Sequence, residues 1–578
     1  MVLQQLCKPA TMPFELYFRG KALAEEDGIS IEDGTVTFDT YFNLFSLGVW
    51  KAYAKINALS VSVNVSGSGR IALMGFERDP QSAREIISKT YDCHTPETIL
   101  LLDHEIESLA DHLYIKVSGK KTKVYEALYA TDLTPAPVRI ACCFCTYRRE
   151  KEIIQNVRRL YDDIINDPAS PLHGHMEVFI ADNGQTLSED QIGKLQGVHL
   201  FKNRNYGGSA GFTRCMIEAA LKRRGFTHLI LMDDDAHIEP YVVERTAALL
   251  GALREEHRGK MIGGAMLCLE QPTLQIENGA WIDPKNWRIA LPGKNRELSG
   301  IKDVIANEEK AKVNYNGWFY CCIPTGFINE NNLPLPMFLH ADDQEYGLRN
   351  KSGIIRMNGI CIWHPNPWAR KRAYIEYYDA RNAMIALSKT NPKLSIIYIC
   401  IKETYSILRH LASYKYEEAL YRIRGYHDFY NGPEWYKQQD AEKLNREIMG
   451  LYKTPTCDLS QEIIKSDLDE PQHEDSDKKL KKMLNYFVPA YKGRKIFDDN
   501  LPWECVDPFA VKQLCIINVK TGKGIQLTKS YRKMFKILRD LIGLLFLIIR
   551  KHRNISKMWS NADLQSMKFW TSYLQLKG

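Results

Sequence analysis

The stretch His228-Leu-Ile-Leu-Met232, followed by Asp233-Asp234-Asp235, decides how this chain is read. A short apolar run of this kind is a buried strand, and the strand fixes in space the three carboxylates at its end. Clustered carboxylates suit a hard divalent cation, Mn²⁺ or Mg²⁺, which takes oxygen ligands and shares its remaining positions with phosphate oxygens. The expectation is a cation at Asp233 to Asp235 that holds a diphosphate, such as that of a sugar nucleotide. An acidic turn after a strand is as often merely solvated, so the surroundings of the triplet carry the weight.

Upstream, apolar segments alternate with helical patterns: strands over 138–145, 177–181 and 198–201, and helices over 150–163 and 211–224. This alternation predicts a parallel sheet with helical crossovers, whose ligands bind beyond the carboxyl ends of the strands. The residues at those ends are Thr146 and Arg148, Asp182 and Asn183, Asn203 and Asn205, and Asp233 to Asp235. The run Asn203-Arg-Asn-Tyr-Gly-Gly-Ser-Ala-Gly-Phe-Thr-Arg214 has glycines where backbone must turn and open a helix, offering N–H groups to an anion. It lacks the Lys-Ser/Thr of a P-loop. Downstream come Asn316-Gly-Trp-Phe-Tyr-Cys-Cys322, a second carboxylate pair at Asp342 and Asp343, and His364 at the end of an apolar strand, where it could ligate the cation.

At 578 residues the chain is too long for one core, and roughly three to four folding units are expected. Hydrophobic residues at 45% and charged residues at 25% are globular values that exclude a collagenous or wholly disordered chain. A net charge of +7 is too small for this length to indicate a nucleic-acid partner. The fourteen cysteines are scattered, and the start MVLQQLCKPATMPFELYF has no secretory pattern, so a reduced, cytoplasmic protein is expected. Cys142 and Cys145 lie in a strand and read as core. Residues 1–135 alternate polar and apolar like an antiparallel β-domain, and two prolines at 135 and 137 mark a linker. Residues 136–374 form the α/β unit. Residues 375–578 read as mainly helical, with an acidic loop at about 460–477. The apolar run 541–549 is too short to span a bilayer, but Lys and Arg flank it, which suits peripheral contact with the inner face of the plasma membrane.

In order along the chain stand Cys145-Thr-Tyr-Arg148, Ala181-Asp-Asn-Gly184, Asn205-Tyr-Gly-Gly-Ser-Ala-Gly-Phe-Thr-Arg214, Met232-Asp-Asp-Asp235, Trp318-Phe319, Asp342-Asp-Gln-Glu-Tyr346, Trp363-His364 and Tyr378-Asp-Ala-Arg-Asn382. This set resembles the inverting GT-A glycosyltransferases of family 2, and among them the polymerising galactofuranosyltransferases of mycobacterial galactan. The resemblance covers most of the chain. It implies a multidomain α/β protein with an N-terminal antiparallel β-sandwich, a central GT-A (Rossmann-like) domain and a C-terminal helical region. It further implies that Thr146, Arg148, Asp182, Asn183 and Asn205, with Asp233 and Asp234, contact the nucleotide sugar. Asp233, Asp235 and His364 would hold Mn²⁺ or Mg²⁺, and Asp343 would be the general base. Trp318, Asp342 and Glu345 would contact the acceptor, with Glu277 and Trp287 matching that lining only loosely. The implied partners are a UDP-sugar donor and a glycan or glycolipid acceptor, and a homo-oligomer remains open. Trp318-Phe319 replaces the family's double tryptophan, and Ala341 stands where a tryptophan precedes the Asp pair. A different acceptor, or single addition rather than polymerisation, is compatible with both changes. The alternatives are a rhamnosyl- or glucosyltransferase of the same fold and a non-catalytic carbohydrate-binding protein.

Overall fold

The apolar strands assemble, in a computed structural model of the chain, into a mixed sheet that places the acidic triplet at its rim. The structure describes all residues except 10, 11, 224, 368–371, 470–484, 486, 500, 502–505, 577 and 578. Strands Val198–Lys202, Met176–Asp182, Ile140–Thr146 and His228–Asp233 lie side by side in that order and run parallel. The first strand in sequence is therefore central, with the second and third on one side and the fourth on the other. The crevice at such a reversal of strand order is where open α/β sheets bind ligands. Register brings the polar ends together, since Thr146 pairs with Asp182 and Asp233 with Cys145.

Beyond His228–Asp233 the antiparallel strand Tyr320–Pro324 joins the sheet, then Met261–Cys268, which pairs in parallel with Ile354–His364. Two successive antiparallel pairings restore the original direction, so His364 emerges on the same rim as Asp233. Glu150–Leu160 and Gly207–Met216 are the expected α-helices, prolonged by π-helical turns over Tyr161–Ile165 and Ile217–Arg223, and Pro240–Ala252 is a further helix.

The N-terminal strands are antiparallel as expected but much longer than their alternating stretches: Ala58–Phe76, Arg84–Glu105 and His112–Ala130. The Gly67-Ser-Gly69 stretch, which reads as a turn, is the middle of a strand. A Cβ at Gly67 would stand 2.3 Å from the Lys121 carbonyl oxygen, so the glycine permits close approach at a bulge. Hydrogen bonding joins seven strands into one sheet, so the described residues support an antiparallel β-domain but not two separate layers of a sandwich. That sheet shares a continuous apolar core with the central one. The Tyr17 and Tyr241 hydroxyls meet at 2.6 Å, Arg245 donates to the Phe42 carbonyl, and Phe42 packs on Trp363.

The C-terminal part is built on helices Ile375–Thr390, Ile396–Ala412, Tyr416–Tyr430 and Tyr531–Asn561. It also contains a four-stranded sheet of Thr456–Asp458, Lys523–Thr528, Val511–Ile517 and Lys492–Asp498, which a mainly helical reading omits. The expected acidic loop begins as a helix, Gln461–Asp467, because Ile464 is buried against that sheet. Residues 470–477 of it lie outside the described residues. All described cysteines are free, with Cys142 fully buried.

Candidate active site

The carboxylates of Asp233 and Asp235 and the imidazole of His364 face one another, each offering one ligand atom, all within 4.8 Å of one another. His364 Nε2 lies 3.2 Å from Asp235 and 3.7 Å from Asp233. Its Nδ1 is 2.7 Å from the Pro365 carbonyl oxygen, which fixes the proton on Nδ1 and leaves Nε2 as the ligand atom. Two backbone bonds between His237 and Trp363 tie the turn carrying Asp235 to the strand carrying His364. Asn156 donates to the carbonyls of Asp234 and Ala236 and holds the same turn from below. Two carboxylates and one neutral imidazole are a donor set that fits Mn²⁺ or Mg²⁺.

Burial pushes Asp233 up to about 6, against the pull of His364. Burial also raises Asp234 despite its ion pair with Arg149. Burial opposes charge on His364, yet Asp235 and Asp233 outweigh it and hold the imidazole above its ordinary value. Asp234 and Asp235 crowd together with little solvent beside the 40% exposed side chain of Asp233, an arrangement that a cation would relieve. Arg149, which reaches Asp234 at 2.7 Å and Asp235 at 3.1 Å, supplies part of that relief. Sequence reasoning passed over it beside Arg148, since an Arg-Arg pair does not say which side chain turns inward. Arg148 has φ +56° and lies over the Tyr147 ring.

Asp182 is fully buried, and its two oxygens accept the N–H groups of Gly184 and Leu187, shaping the turn beyond its strand. Asn183 donates to the Gly207 carbonyl and accepts from Asn203. Asp182 and Asn183 thus build the rim rather than project from it, while Thr146 is buried in the rim and Asn205 is half-buried. The glycine-rich helix corrects a second expectation. Gly208 N–H donates to the Phe338 carbonyl, Ser209 Oγ accepts from Phe338 N–H, and a Cβ at Gly207 would lie 1.9 Å from that carbonyl oxygen. The glycines admit a neighbouring loop, not only an anion.

That loop delivers the second carboxylate pair. Phe338, His340 and Ala341 all have φ between +61° and +69°, strain that concentrates at functional sites when surrounding structure imposes it. The imposing residue is Asn382, whose amide donates to the carbonyls of Met337, Leu339 and His340. Buried Arg381 adds a bond to Met337. The loop then enters helix Asp342–Arg349, whose N-terminal dipole favours carboxylates there. Burial raises both Asp342 and Asp343, and the neighbouring Asp342 charge drives Asp343 further. Glu277, pushed up to about 7 by burial, adds its charge to Asp343. Half-buried Cys145, paired with Asp233 at the strand end, packs against Gly211, and a Cβ at Gly208 would stand 3.9 Å from Asp342 Oδ2, so the acidic triplet and the second carboxylate pair both lie near the glycine-rich helix.

Three residues expected at the acceptor, Trp287 only as a loose match, are engaged within the protein. Glu345 is committed to Arg349 one turn along its helix, at 2.9 Å, because i,i+4 partners meet on one helix face. Trp318 is 6% exposed, packed edge-on against Phe212 and Tyr346. Trp287 is 7% exposed and belongs to the core. An aromatic beside a glycine does not reveal which way it faces.

No protein-family model matches the chain. It is 26% identical over 434 residues to galactofuranosyltransferase GlfT2 of Mycobacterium tuberculosis, a match covering 70% of this chain and 66% of that one. This chain is similar to galactofuranosyltransferases. The corresponding enzyme of Mycolicibacterium smegmatis is 26% identical over 433 residues, covering 70% and 65%. The match thus spans slightly under two thirds of either relative, and it bears out the resemblance carried by the motifs. Among solved structures, mannosyl-3-phosphoglycerate synthase from Rubrobacter xylanophilus aligns with 43% of this chain and 73% of its own, at 9% identity and a TM-score of 0.25. A likeness that slight adds nothing to the strand order above.

Asn382→Ala would remove the side-chain donor from the Leu339 and His340 carbonyls and leave the Met337 carbonyl with Arg381. Transfer should fall by roughly 10²-fold, the scale of a misplaced catalytic group, while Mn²⁺ affinity stays at the wild-type value. Measuring turnover and Mn²⁺ binding on the same preparation separates loop positioning from damage to the cation site; wild-type turnover would show that the loop needs no clamp.

Proposed function

We propose that the chain is a metal-dependent inverting glycosyltransferase that moves galactofuranose from UDP-galactofuranose to a hydroxyl of a glycan acceptor. The observation that carries this reading is the meeting of Asp233, Asp235 and His364 at the sheet's strand-order reversal, with Asp342 bordering the glycine-rich helix that packs on the same rim. Similarity to the mycobacterial galactofuranosyltransferases supports the choice of donor.

In this reading the uridine and diphosphate lie along the rim formed by Thr146, Arg148, the Asp182–Asn183 turn and Asn205, with Asp233 and Asp234 beneath. A divalent cation held by Asp233, Asp235 and His364 would offset the charge that grows on the departing diphosphate. Asp343 takes the proton of the acceptor hydroxyl as that oxygen attacks the anomeric carbon, and the bond to UDP breaks on the opposite face. One displacement inverts the configuration. Asp342, beside the base, is placed to bind an acceptor hydroxyl.

A base must be ionised to work, so its pKa sets the acid side of the rate profile. Because burial and Asp342 hold Asp343 above the ordinary carboxylate range, activity should be lost, as pH falls, at a higher pH than a solvated aspartate would give. A pH–rate profile that stays flat down to the ordinary range would contradict this role. The donor and the stereochemistry are tested by incubating the protein with UDP-galactofuranose and a saccharide acceptor, then reading the product's anomeric configuration by NMR. An inverted linkage is expected; retention would overturn the single displacement.

We also infer peripheral contact with an anionic membrane. Among the described residues no helix is long and apolar enough to cross one. Helix Tyr531–Asn561 buries Leu541, Leu544 and Ile548, yet leaves Phe535, Ile542, Phe546 and Ile549 exposed, Phe546 at 69%. On the adjoining helix Ile397 and Ile401 are likewise exposed. The basic residues Arg532, Lys536, Arg539, Arg550 and Arg553 share this helix. An apolar stripe with a cationic border suits an anionic lipid surface, each basic residue contributing about 1 kcal/mol. Phe546→Ser with Ile549→Ser changes only exposed positions, so the core survives. We expect the wild type to float with anionic vesicles at low salt and the double variant to remain behind; equal flotation of both would rule out this face.

A further inference from the structure

A cavity of about 850 Å³ lies away from the cleft, between the helical layer and the small C-terminal sheet. Its helical wall comes from the region before Ile375–Thr390, the end of Ile396–Ala412 and the start of Tyr416–Tyr430. Its opposite wall comes from Thr456–Asp458, Lys523–Thr528 and the segment after Lys492–Asp498. Its volume is that of a small-molecule site. The catalytic reading makes no use of it.

The lining is chemically divided. Arg372, Arg409 and Lys523 are exposed and half-buried Lys415 joins them, while Glu376, Asp458, Glu418 and Asp499 supply carboxylates to the same lining. Glu418 is 9% exposed, and its Oε2 has no hydrogen-bond partner among the described residues. Asp499 Oδ1 is buried in the same condition. Burial raises both groups, Asp499 to about 6 with its neighbour Asp498 adding to the effect. A buried polar atom left unpaired is costly, and such exceptions call for a ligand or water. Carboxyl groups of this kind pair well with hydroxyls. Guanidinium groups at a cavity mouth pair well with phosphate, which they grip with two parallel bonds.

We propose that this cavity is a second binding site, for a phosphorylated saccharide, with Arg372 and Arg409 on the phosphate and Glu418 and Asp499 on sugar hydroxyls. Its lining shares no residue with the cation ligands or the second carboxylate pair, so its test does not depend on the proposed transferase activity. Glucose 6-phosphate, glucose and inorganic phosphate serve as probes, each titrated into the full chain by calorimetry. The same titrations are run on Arg409→Ala, on Glu418→Gln and on Asp235→Ala as a control in the other site.

The expected result is saturable binding of glucose 6-phosphate, at least tenfold tighter than either glucose or phosphate. Arg409→Ala should weaken it at least tenfold, Glu418→Gln should weaken it less, and Asp235→Ala should leave it unchanged. Arg409 is exposed, so its loss does not endanger the fold, and a wild-type melting temperature confirms that. Absence of saturable binding by any probe, phosphate binding as tightly as the sugar phosphate, or binding indifferent to Arg409→Ala would each overturn the proposal. Loss of binding in Asp235→Ala would do the same, since it would place the probe in the cleft.

Discussion

Asp343→Asn should reduce transfer by roughly 10²–10⁴-fold, the contribution of a positioned general base, while UDP affinity in the presence of Mn²⁺ stays close to the wild-type value. The split follows from where the residue sits. Asp343 is at the first turn of helix Asp342–Arg349, accepting from the Gln344 N–H at 2.7 Å, and is not among the cation ligands. Asparagine keeps the shape and that hydrogen bond but takes no proton, so the loss falls on the chemical step and not on ground-state binding. Glu277 and Asp342 are near enough to act electrostatically on Asp343, and residual activity of the variant could pass through either. Adding Glu277→Gln to Asp343→Asn measures that. A single variant retaining more than about a tenth of wild-type transfer would remove Asp343 from the role of base.

Asp235→Ala and His364→Ala should each weaken Mn²⁺-dependent UDP binding, by at least the roughly 10–100-fold seen when even the supports of a metal ligand are lost. Asp235 is expected to be the more damaging of the two. Its removal takes a ligand and also strips Arg149 of one partner, since that guanidinium spans Asp234 and Asp235. His364→Ala leaves the carboxylates and Arg149 in place. Mn²⁺ binding followed by electron paramagnetic resonance, with and without UDP, reads both effects directly. Either variant binding Mn²⁺ and UDP as the wild type does would dissolve the triad.

The parallel half of the central sheet was legible because its strands are buried on both faces and so read as unbroken apolar runs. The observed strand Met176–Asp182 exceeds its expected span by one residue at each end, and His228–Asp233 by one residue at its carboxyl end alone. The cation ligands were legible for the same reason: each ends an apolar strand, and strand ends on one rim must converge. The side-chain directions were not. Glu345 and Trp318 belong to the right motifs, but helix geometry turns one to Arg349 and packing buries the other. Asn382 lay inside a recognised motif without a stated role, since its three carbonyl partners are more than forty residues away. The C-terminal sheet escaped notice because Thr456–Asp458 is remote in sequence from its partner Lys523–Thr528, and apolar periodicity in short segments does not distinguish strand from helix. The N-terminal strands were cut short at Gly67 and Gly69, where glycine marks close contact with a neighbouring strand and not a turn.

The central claim is that Asp233, Asp235 and His364 hold a cation that commits a UDP-sugar to reaction, and nucleotide release tests it most directly. The purified chain is incubated with UDP-, GDP- and dTDP-sugars and a saccharide acceptor, with Mn²⁺ or with EDTA, and free nucleotide is measured over time. Release of UDP from UDP-galactofuranose, faster than from any other donor and abolished by EDTA, is the predicted result. Equal release in EDTA, or release from no donor at all, would contradict the account.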